Sequence, residues 1–252
     1  TILRIAADSG VIIDRLKPAD YLDAGVEVSR VDLIKGARLA VVSGFSSPSY
    51  WMKVISLDNF SVIYSPDIRS TSGSQFDLST TNVAWSENGQ YLSHLDMEKG
   101  DVYLVDLASL QARVIGSVRA FASDPETGFS ATTMAVSNDG KYVAVSVDNF
   151  GDTNLVLLSG PTYEAILLQH GSVSGNPNET TALAFKDAKD GRLLAGDGDG
   201  TLTLFDLATG RQSGKLSVAS DQIIGIKILN GGEDALVFSK RVVTQSRGGN
   251  TY

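Results

Sequence analysis

The acidic segments of the sequence are the first candidates for chemistry. Residues 196–200 read Gly-Asp-Gly-Asp-Gly, and closely spaced carboxylates can supply the oxygen ligands of a calcium ion. No glutamate follows to complete a known calcium loop, and Asp-Gly also favours the positive φ of a tight hairpin turn. Asp148, Asp152 and Asn154 form a second oxygen-rich segment with the composition of an ordinary polar loop. The sequence therefore predicts polar turns and loops here and no metal site.

Residues for nucleophilic or nucleotide chemistry do not form a recognisable motif. The chain has no cysteine and only two histidines, His94 and His170, which do not make a convincing zinc site. Residues 171–175 read Gly-Ser-Val-Ser-Gly, with valine where the nucleophile elbow requires serine. The phosphate-binding and dinucleotide-binding glycine motifs do not occur in the sequence. We therefore predict no catalytic residue, no cofactor and no enzymatic activity.

An aromatic segment is the strongest candidate for a binding site. Residues 45–51 contain Phe45, Tyr50 and Trp51, and the strand pattern places them between two strands. Exposed aromatic rings reduce solubility unless they are covered, and aromatic residues are enriched at interface hot spots. Packing of Phe45 and Trp51 onto their own domain is the alternative. Phe121, in a long connecting segment, has a similar but weaker case as a contact residue.

Charge and composition narrow the class of partner. The 252 residues carry a net charge of −8, which opposes binding to a phosphate backbone and favours a basic protein partner over nucleic acid. Asp148 and Asp152 are predicted at the rim of the binding surface. The longest apolar runs, such as Leu39 to Val42, are far shorter than the roughly 20 residues that span a bilayer. The sequence thus predicts no membrane partner and a cytoplasmic or virion location.

The elements that would position these residues repeat along the chain. Each repeat has an apolar strand, a glycine turn, a second apolar strand, an alternating third strand and a fourth strand. The clearest copy starts at Val83 and the next at Met134, and the first-turn glycines recur about every 50 residues. The chain opens on a third and a fourth strand and closes on a first and a second. The pattern therefore predicts five units, one of them built from both termini.

The repeat resembles the blades of β-propellers, in particular those of the WD-repeat group. The resemblance rests on the Ser-x-Asn/Asp-Gly turns at 86–89 and 137–140 and on Leu-Phe-Asp-Leu-Ala-Thr-Gly at 204–210. The Trp-Asp dipeptide itself does not occur. The resemblance implies an all-β domain over residues 1–252, with five four-stranded antiparallel blades. It also implies closure of the ring by pairing of the N- and C-terminal segments, which removes free sheet edges.

Three classes of function are compatible with such a propeller, because the fold hosts many functions. The preferred hypothesis is a non-catalytic protein-interaction or scaffold module within a larger assembly. The first alternative is a virion structural protein, such as a phage tail or capsid-associated component. The second is a glycosidase or lectin that uses the central channel, where a pair of carboxylates would mark a glycosidase. The missing catalytic motifs and the long connections on one face favour the interaction module.

Overall fold

The structure is a computed structural model that consists of short antiparallel sheets. It describes residues 2–5, 12–16, 27–34, 37–46, 49–66, 82–96, 98–122, 130–149, 152–160, 162, 164–170, 179–186, 191–229 and 233–240. Within these residues there are twenty strands and a 3-10 turn at Arg119–Phe121. This all-β architecture confirms the predicted fold class.

Four of the sheets contain four strands each, and the strands of each sheet lie side by side in chain order. We number these sheets as blades 1 to 4. Blade 1 consists of β3 (Glu27–Ile34), β4 (Leu39–Ser46), β5 (Ser49–Ser56) and β6 (Val62–Tyr64). Blade 2 consists of β7 (Val83–Trp85), β8 (Tyr91–Leu95), β9 (Asp101–Asp106) and β10 (Gln111–Ser117). Blade 3 consists of β11 (Ser130–Val136), β12 (Tyr142–Asn149), β13 (Asp152–Ser159) and β14 (Glu164–His170). Blade 4 consists of β15 (Thr180–Lys186), β16 (Arg192–Asp197), β17 (Thr201–Asp206) and β18 (Arg211–Ser217).

The two ends of the chain form hairpins rather than complete blades. The N-terminal hairpin pairs β1 (Ile2–Ile5) with β2 (Ile12–Leu16), and the C-terminal hairpin pairs β19 (Gln222–Leu229) with β20 (Asp234–Lys240). In the described residues they are separate two-stranded sheets, so the sheet shared between both termini is not formed there. Strand β19 packs against β15 and β16, the position expected for the first strand of a fifth blade. Closure of the ring by the terminal segments stays a prediction.

The turns that carried the resemblance have a defined physical role. In the turn 86–91, Ser86 Oγ donates to Asn88 Oδ1 (2.7 Å) and accepts from the Tyr91 N–H (2.9 Å). The turn 137–142 repeats both hydrogen bonds. The glycine in each turn has φ of 71° and 66°, a conformation that glycine adopts without steric cost. The serine and the glycine together therefore fix the step from the first to the second strand.

Apolar clusters between neighbouring blades form the core. One cluster joins blades 1 and 2, a larger one joins blades 2 and 3, and a third joins blades 3 and 4. Strand β17 shows how the pattern produces them: its alternate residues Thr201, Thr203 and Phe205 are buried. A period of two places one face of each strand against the next blade.

The chain direction gives the blades two distinct ends. First strands end and second strands begin at one end, which we call the turn end because it carries the Ser-x-Asn/Asp-Gly turns. Second strands end and third strands begin at the opposite end. Fourth strands also end there, so this end carries the connections between blades, and we call it the loop end.

Candidate functional site

Two hairpins extend further than their counterparts at the loop end. The β4–β5 and β12–β13 ladders each contain eight residue pairs, whereas the β8–β9 and β16–β17 ladders contain five. The ladders start at equivalent positions at the turn end, so the three additional pairs all lie at the loop end. At about 3.3 Å per residue they extend blades 1 and 3 by roughly 10 Å. Blade 2 lies between them in chain order and has a short hairpin.

The predicted contact residues lie on these extensions. Phe45 and Tyr50 are cross-strand partners, one pair from the turn of β4–β5. Asp152 belongs to the last pair of β12–β13, and Asp148 belongs to the pair before it. The structure therefore places all four at the loop end. The prediction that they belong to loops is wrong, because the longer ladders include them in strands β4, β5, β12 and β13. Their side chains lie outside the described part of the structure.

Trp51 occupies the next register position and faces its own blade. Its ring is half-buried and packs against a cluster formed by Val42, Ile55 and Phe60. Its indole Nε1 is buried and has no hydrogen-bond partner among the described residues. A buried donor without a partner costs about 1–3 kcal/mol. The geometry shows Trp51 as a support of the β4–β5 hairpin, and its contact with a partner stays a prediction.

Phe121 lies at the loop end between blades 2 and 3. It closes the 3-10 turn, and its half-buried ring packs against the core that joins these blades. Its carbonyl oxygen accepts a hydrogen bond of 2.6 Å from Asn154 Nδ2, on β13. Two buried oxygens nearby in sequence, Thr153 Oγ1 and Asn154 Oδ1, have no partner among the described residues. Phe121 is thus tied to the base of the long β12–β13 hairpin.

The Gly-Asp-Gly-Asp-Gly segment forms the predicted hairpin turn. Gly200 has φ of 81°, and the Thr201 N–H donates to Asp199 Oδ1 (2.9 Å). The Thr180 hydroxyl donates to Asp197 Oδ1 (3.2 Å). Burial raises the pKa of Asp197 to about 6, although this hydrogen bond opposes the shift. In the described residues no three metal-binding side chains cluster.

His94 lies inside the core between blades 1 and 2. Its ring stacks on Tyr103 with centroids 4.7 Å apart, and its Nε2 forms a 3.2 Å hydrogen bond with the Tyr64 hydroxyl. Burial lowers the pKa of His94 to about 4, and the nearby Asp96 opposes the shift. Burial likewise raises the pKa of Tyr64 to about 12. His94 is thus a buried residue of strand β8. The side chain of His170 lies outside the described residues.

Sequence reasoning missed a cavity at the turn end. Its volume is about 360 Å³, and residues from all five first strands line it. Ten of its fourteen lining residues are apolar, with Trp85 and Phe185 as the aromatic ones, and polar atoms form about half of its exposed lining. The other apolar residues of its lining are Leu33, Met134, Ala135, Val136, Leu183, Ala184, Ile226 and Ile228. The cavity is the end of the central channel, since β3, β7, β11, β15 and β19 are the first strands of successive units.

Polar residues surround the mouth of this cavity. They are Glu87, Asn138, Lys186 and Lys227. Lys227 Nζ, on β19, donates a hydrogen bond to Glu87 Oε1, in the turn of blade 2, and the two residues are 140 positions apart in sequence. Between blades 2 and 3, Asn88 Nδ2 donates to the Asn138 carbonyl oxygen (2.8 Å). Around the mouth, the ion pair thus joins two units that are not consecutive, and the asparagine contact joins two consecutive blades.

No signal in a single repeat identifies this cavity. Trp85 and Phe185 each lie near the end of a first strand and are indistinguishable in sequence from core residues. Only their equivalent places in successive repeats, whose first strands line a common cavity, bring them to one opening. In the described part of the chain, no helix is long and apolar enough to cross a membrane.

Comparison with known proteins supports the fold alone. No family model and no curated protein matches the sequence. Many solved structures match, among them the β-propeller domain of Myceliophteria thermophila Cps50 (Swd1), with a TM-score of 0.55 and 18% sequence identity. The match covers 85% of this chain and 65% of that chain, so this chain spans a little less than two thirds of its length. This similarity and the four-stranded meanders show that the chain has the fold of a WD-repeat-like β-propeller.

Proposed function

We propose that the chain is a non-catalytic interaction module, and that residues 1–252 are one propeller domain that binds a partner protein at the loop end. The observation that carries the proposal is the pair of long hairpins, β4–β5 and β12–β13. They extend about 10 Å beyond the hairpin between them. Two hairpins that extend past the shorter hairpin of blade 2 offer projecting surfaces to the side of a folded partner.

The residues on the two hairpins differ in character. The β4–β5 hairpin carries Phe45 and Tyr50, and Trp51, the next residue, packs against its own blade. The β12–β13 hairpin carries Asp148 and Asp152. Aromatic anchors supply most of the binding energy at interfaces, whereas rim charges act mainly on association rate and specificity. The acidic hairpin and the net charge of −8 favour a partner with a basic surface. Phe121 lies between the hairpins, at the boundary of blades 2 and 3.

The test compares what the chain captures before and after the aromatic residues are removed. Affinity purification with the wild-type chain and with the Phe45→Ala/Tyr50→Ala double variant is followed by quantitative mass spectrometry. The partner is then produced separately, and its dissociation constant is measured by calorimetry. We expect the double variant to bind about tenfold more weakly or worse. Asp148→Asn/Asp152→Asn should change mainly the dependence of binding on salt.

A matched control separates loss of contact from loss of fold. Val114 is 52% exposed on β10, the outer strand of blade 2, and Val114→Ala removes exposed apolar surface away from both hairpins. This variant should bind the partner normally. Thermal melting of each variant shows whether the fold survives. Normal binding by the aromatic double variant, or its unfolding, would remove the proposed interface.

A further inference from the structure

We propose that the turn-end cavity binds a small amphipathic carboxylate, with an apolar body inside the channel and its anionic group at the lysine side of the mouth. This site is at the opposite end of the propeller from the proposed protein interface. Its occupation goes beyond the proposed function and does not depend on it.

The size and walls of the cavity define the body of the ligand. Its volume of about 360 Å³ is at the lower end of the range for small-molecule pockets and equals about a dozen waters. Trp85, Phe185, Ile226 and Ile228 line it and are only partly buried. Part of their surface is still exposed at this cavity. An apolar group bound there would shield that surface from water without any change in the fold. Burial of apolar surface and contact with the two aromatic rings favour a compact hydrocarbon or aromatic body.

The charges at the mouth define the polar group. The lining contains two lysines, Lys186 and Lys227, and one carboxylate, Glu87. The lysines are on the adjacent first strands β15 and β19, whereas Glu87 is in blade 2, so both lysines lie on one side of the mouth. Lys186 has an interaction of its own within the chain, so Lys227 is the candidate partner of the anionic group. An ammonium group has three donors, and Lys227 uses one of them on Glu87. Lys227 can therefore donate a hydrogen bond to an anionic group as a second partner while its ion pair with Glu87 remains.

The same ion pair limits the size of the ligand. Lys227 and Glu87 are both part of the mouth and join units that are not consecutive in the chain. The contact narrows the mouth of the cavity. A polypeptide chain is therefore hindered, because its bulky backbone and hydrogen-bonding groups would have to enter as well. The contact does not obstruct a compact ligand whose charged end remains at the rim. The geometry thus favours a free organic acid over a peptide terminus.

The probe is 4-phenylbutyrate, compared with its uncharged amide, 4-phenylbutanamide. Binding to the full chain is measured by calorimetry, and its location by the fluorescence of Trp85 in a Trp51→Phe variant, because these are the two tryptophans of the chain. We expect a dissociation constant on the order of 0.1–1 mM for the carboxylate, at least fivefold weaker binding of the amide, and a change in Trp85 emission. Equal affinity for both probes, or no binding up to about 5 mM, would overturn the proposal.

Two single substitutions at the mouth should have opposite effects. Lys227→Gln removes a positive charge and should weaken carboxylate binding about two- to fivefold, whereas Glu87→Gln removes the competing carboxylate and should strengthen it by a similar factor. Neither should change amide binding. Lys215→Gln, on the exposed outer strand β18, is the matched control and should have no effect. Equal effects of Lys227→Gln and Lys215→Gln would contradict the site.

A peptide tests the assignment to a small acid. A hexapeptide that ends in phenylalanine with a free carboxylate presents the same terminal chemistry on a longer chain. We expect it to bind more weakly than 4-phenylbutyrate, because the mouth is narrowed by the ion pair. Binding of the peptide about tenfold tighter than that of 4-phenylbutyrate would overturn the assignment to a small acid. Because all these assays omit the partner protein, their failure leaves the proposed loop-end interface unaffected.

Discussion

Titration of His94 provides a quantitative test of the contact between blades 1 and 2. The imidazole is 4% exposed, stacks on Tyr103 of β9, and forms a hydrogen bond with Tyr64 of β6. Its Nδ1 is buried without a partner among the described residues. A charged imidazolium would need a second hydrogen-bond acceptor, and the described residues present none at Nδ1. The core therefore selects the neutral ring.

The pKa values set the sign and size of the effect. The pKa of His94 is about 4 in the folded chain, against 6.5 as its ordinary value. The unfolded chain therefore binds more protons between these values, so the folded state loses stability as pH falls through 6.5 towards 4. The full effect is about 3 kcal/mol, and about 2 kcal/mol of it is lost by pH 5. Above about pH 7 the contribution is fully present.

The assay compares the wild-type chain with His94→Gln. Glutamine can keep a hydrogen bond with Tyr64 and does not titrate, so the comparison isolates the histidine from every other ionisable group. Urea unfolding is followed by tryptophan fluorescence at about pH 7.5 and pH 5 for both proteins. We expect the wild-type chain to lose about 2 kcal/mol more than the variant between the two pH values.

The absolute stability of the variant is not the test, because it also loses the stacking with Tyr103. Equal losses in the two proteins would show that His94 titrates as it does in water. The burial of the ring between blades 1 and 2 would then be wrong. A larger loss in His94→Gln would refute the sign of the argument.

Three further predictions follow from other parts of the fold. Asp197→Asn should remove a carboxyl whose folded pKa of about 6 lies above its ordinary value of 3.8. The wild type should therefore gain on the order of 1 kcal/mol of stability relative to this variant as pH falls from about 7 to 5. Equal pH profiles of the two proteins in urea unfolding would contradict this prediction. Gly200→Ala should lower the free energy of unfolding in urea by about 2–4 kcal/mol, because the added Cβ would lie 2.2 Å from the Ala219 carbonyl oxygen at φ of 81°. Gly214→Ala is the control: the nearest contact of its Cβ is at 3.8 Å, and it should cost less than about 1 kcal/mol. Deletion of residues 1–16 should lower the melting temperature by roughly 5 °C or more if the termini close the ring, and an unchanged melting curve would count against closure.

The sequence was sufficient for the blades because their signals are local. A serine, an asparagine or aspartate and a glycine determine each turn at 86–89 and 137–140, and the alternation from Thr201 to Phe205 determines one buried face. The hairpin at 196–200 was likewise predictable, since Asp-Gly favours one backbone geometry. Each of these features depends on residues within a few positions of one another.

The candidate sites were only partly predictable. The positions of Phe45 and Tyr50 at the loop end follow from the repeat, but the different lengths of the hairpins appear only in the strand register. Trp51 belongs to the same candidate segment because it is adjacent to Tyr50 in sequence. In a strand, adjacent residues point to opposite faces, and the structure shows Trp51 against Val42, Ile55 and Phe60. The alternation of side chains along a strand therefore indicates from the sequence alone that Tyr50 and Trp51 face opposite sides. It argues against treating the segment as one aromatic cluster.

The cavity at the turn end depends on contacts that no local pattern contains. Lys227 and Glu87 are 140 residues apart, and neither is unusual in its own repeat. In chain order, an ion pair between the second and fifth units is a contact between non-neighbours, and it forms only when the first strands surround a common axis. Because Lys227 lies on β19, the pair tests the contact of the C-terminal hairpin with blade 2 and does not depend on pairing with the N-terminal hairpin. If the ring opened between blade 1 and the fifth unit, this contact would be lost together with the cavity. A charge reversal, Glu87→Lys with Lys227→Glu, should therefore restore the melting temperature that either single change lowers, and additive losses would show that the two side chains do not meet.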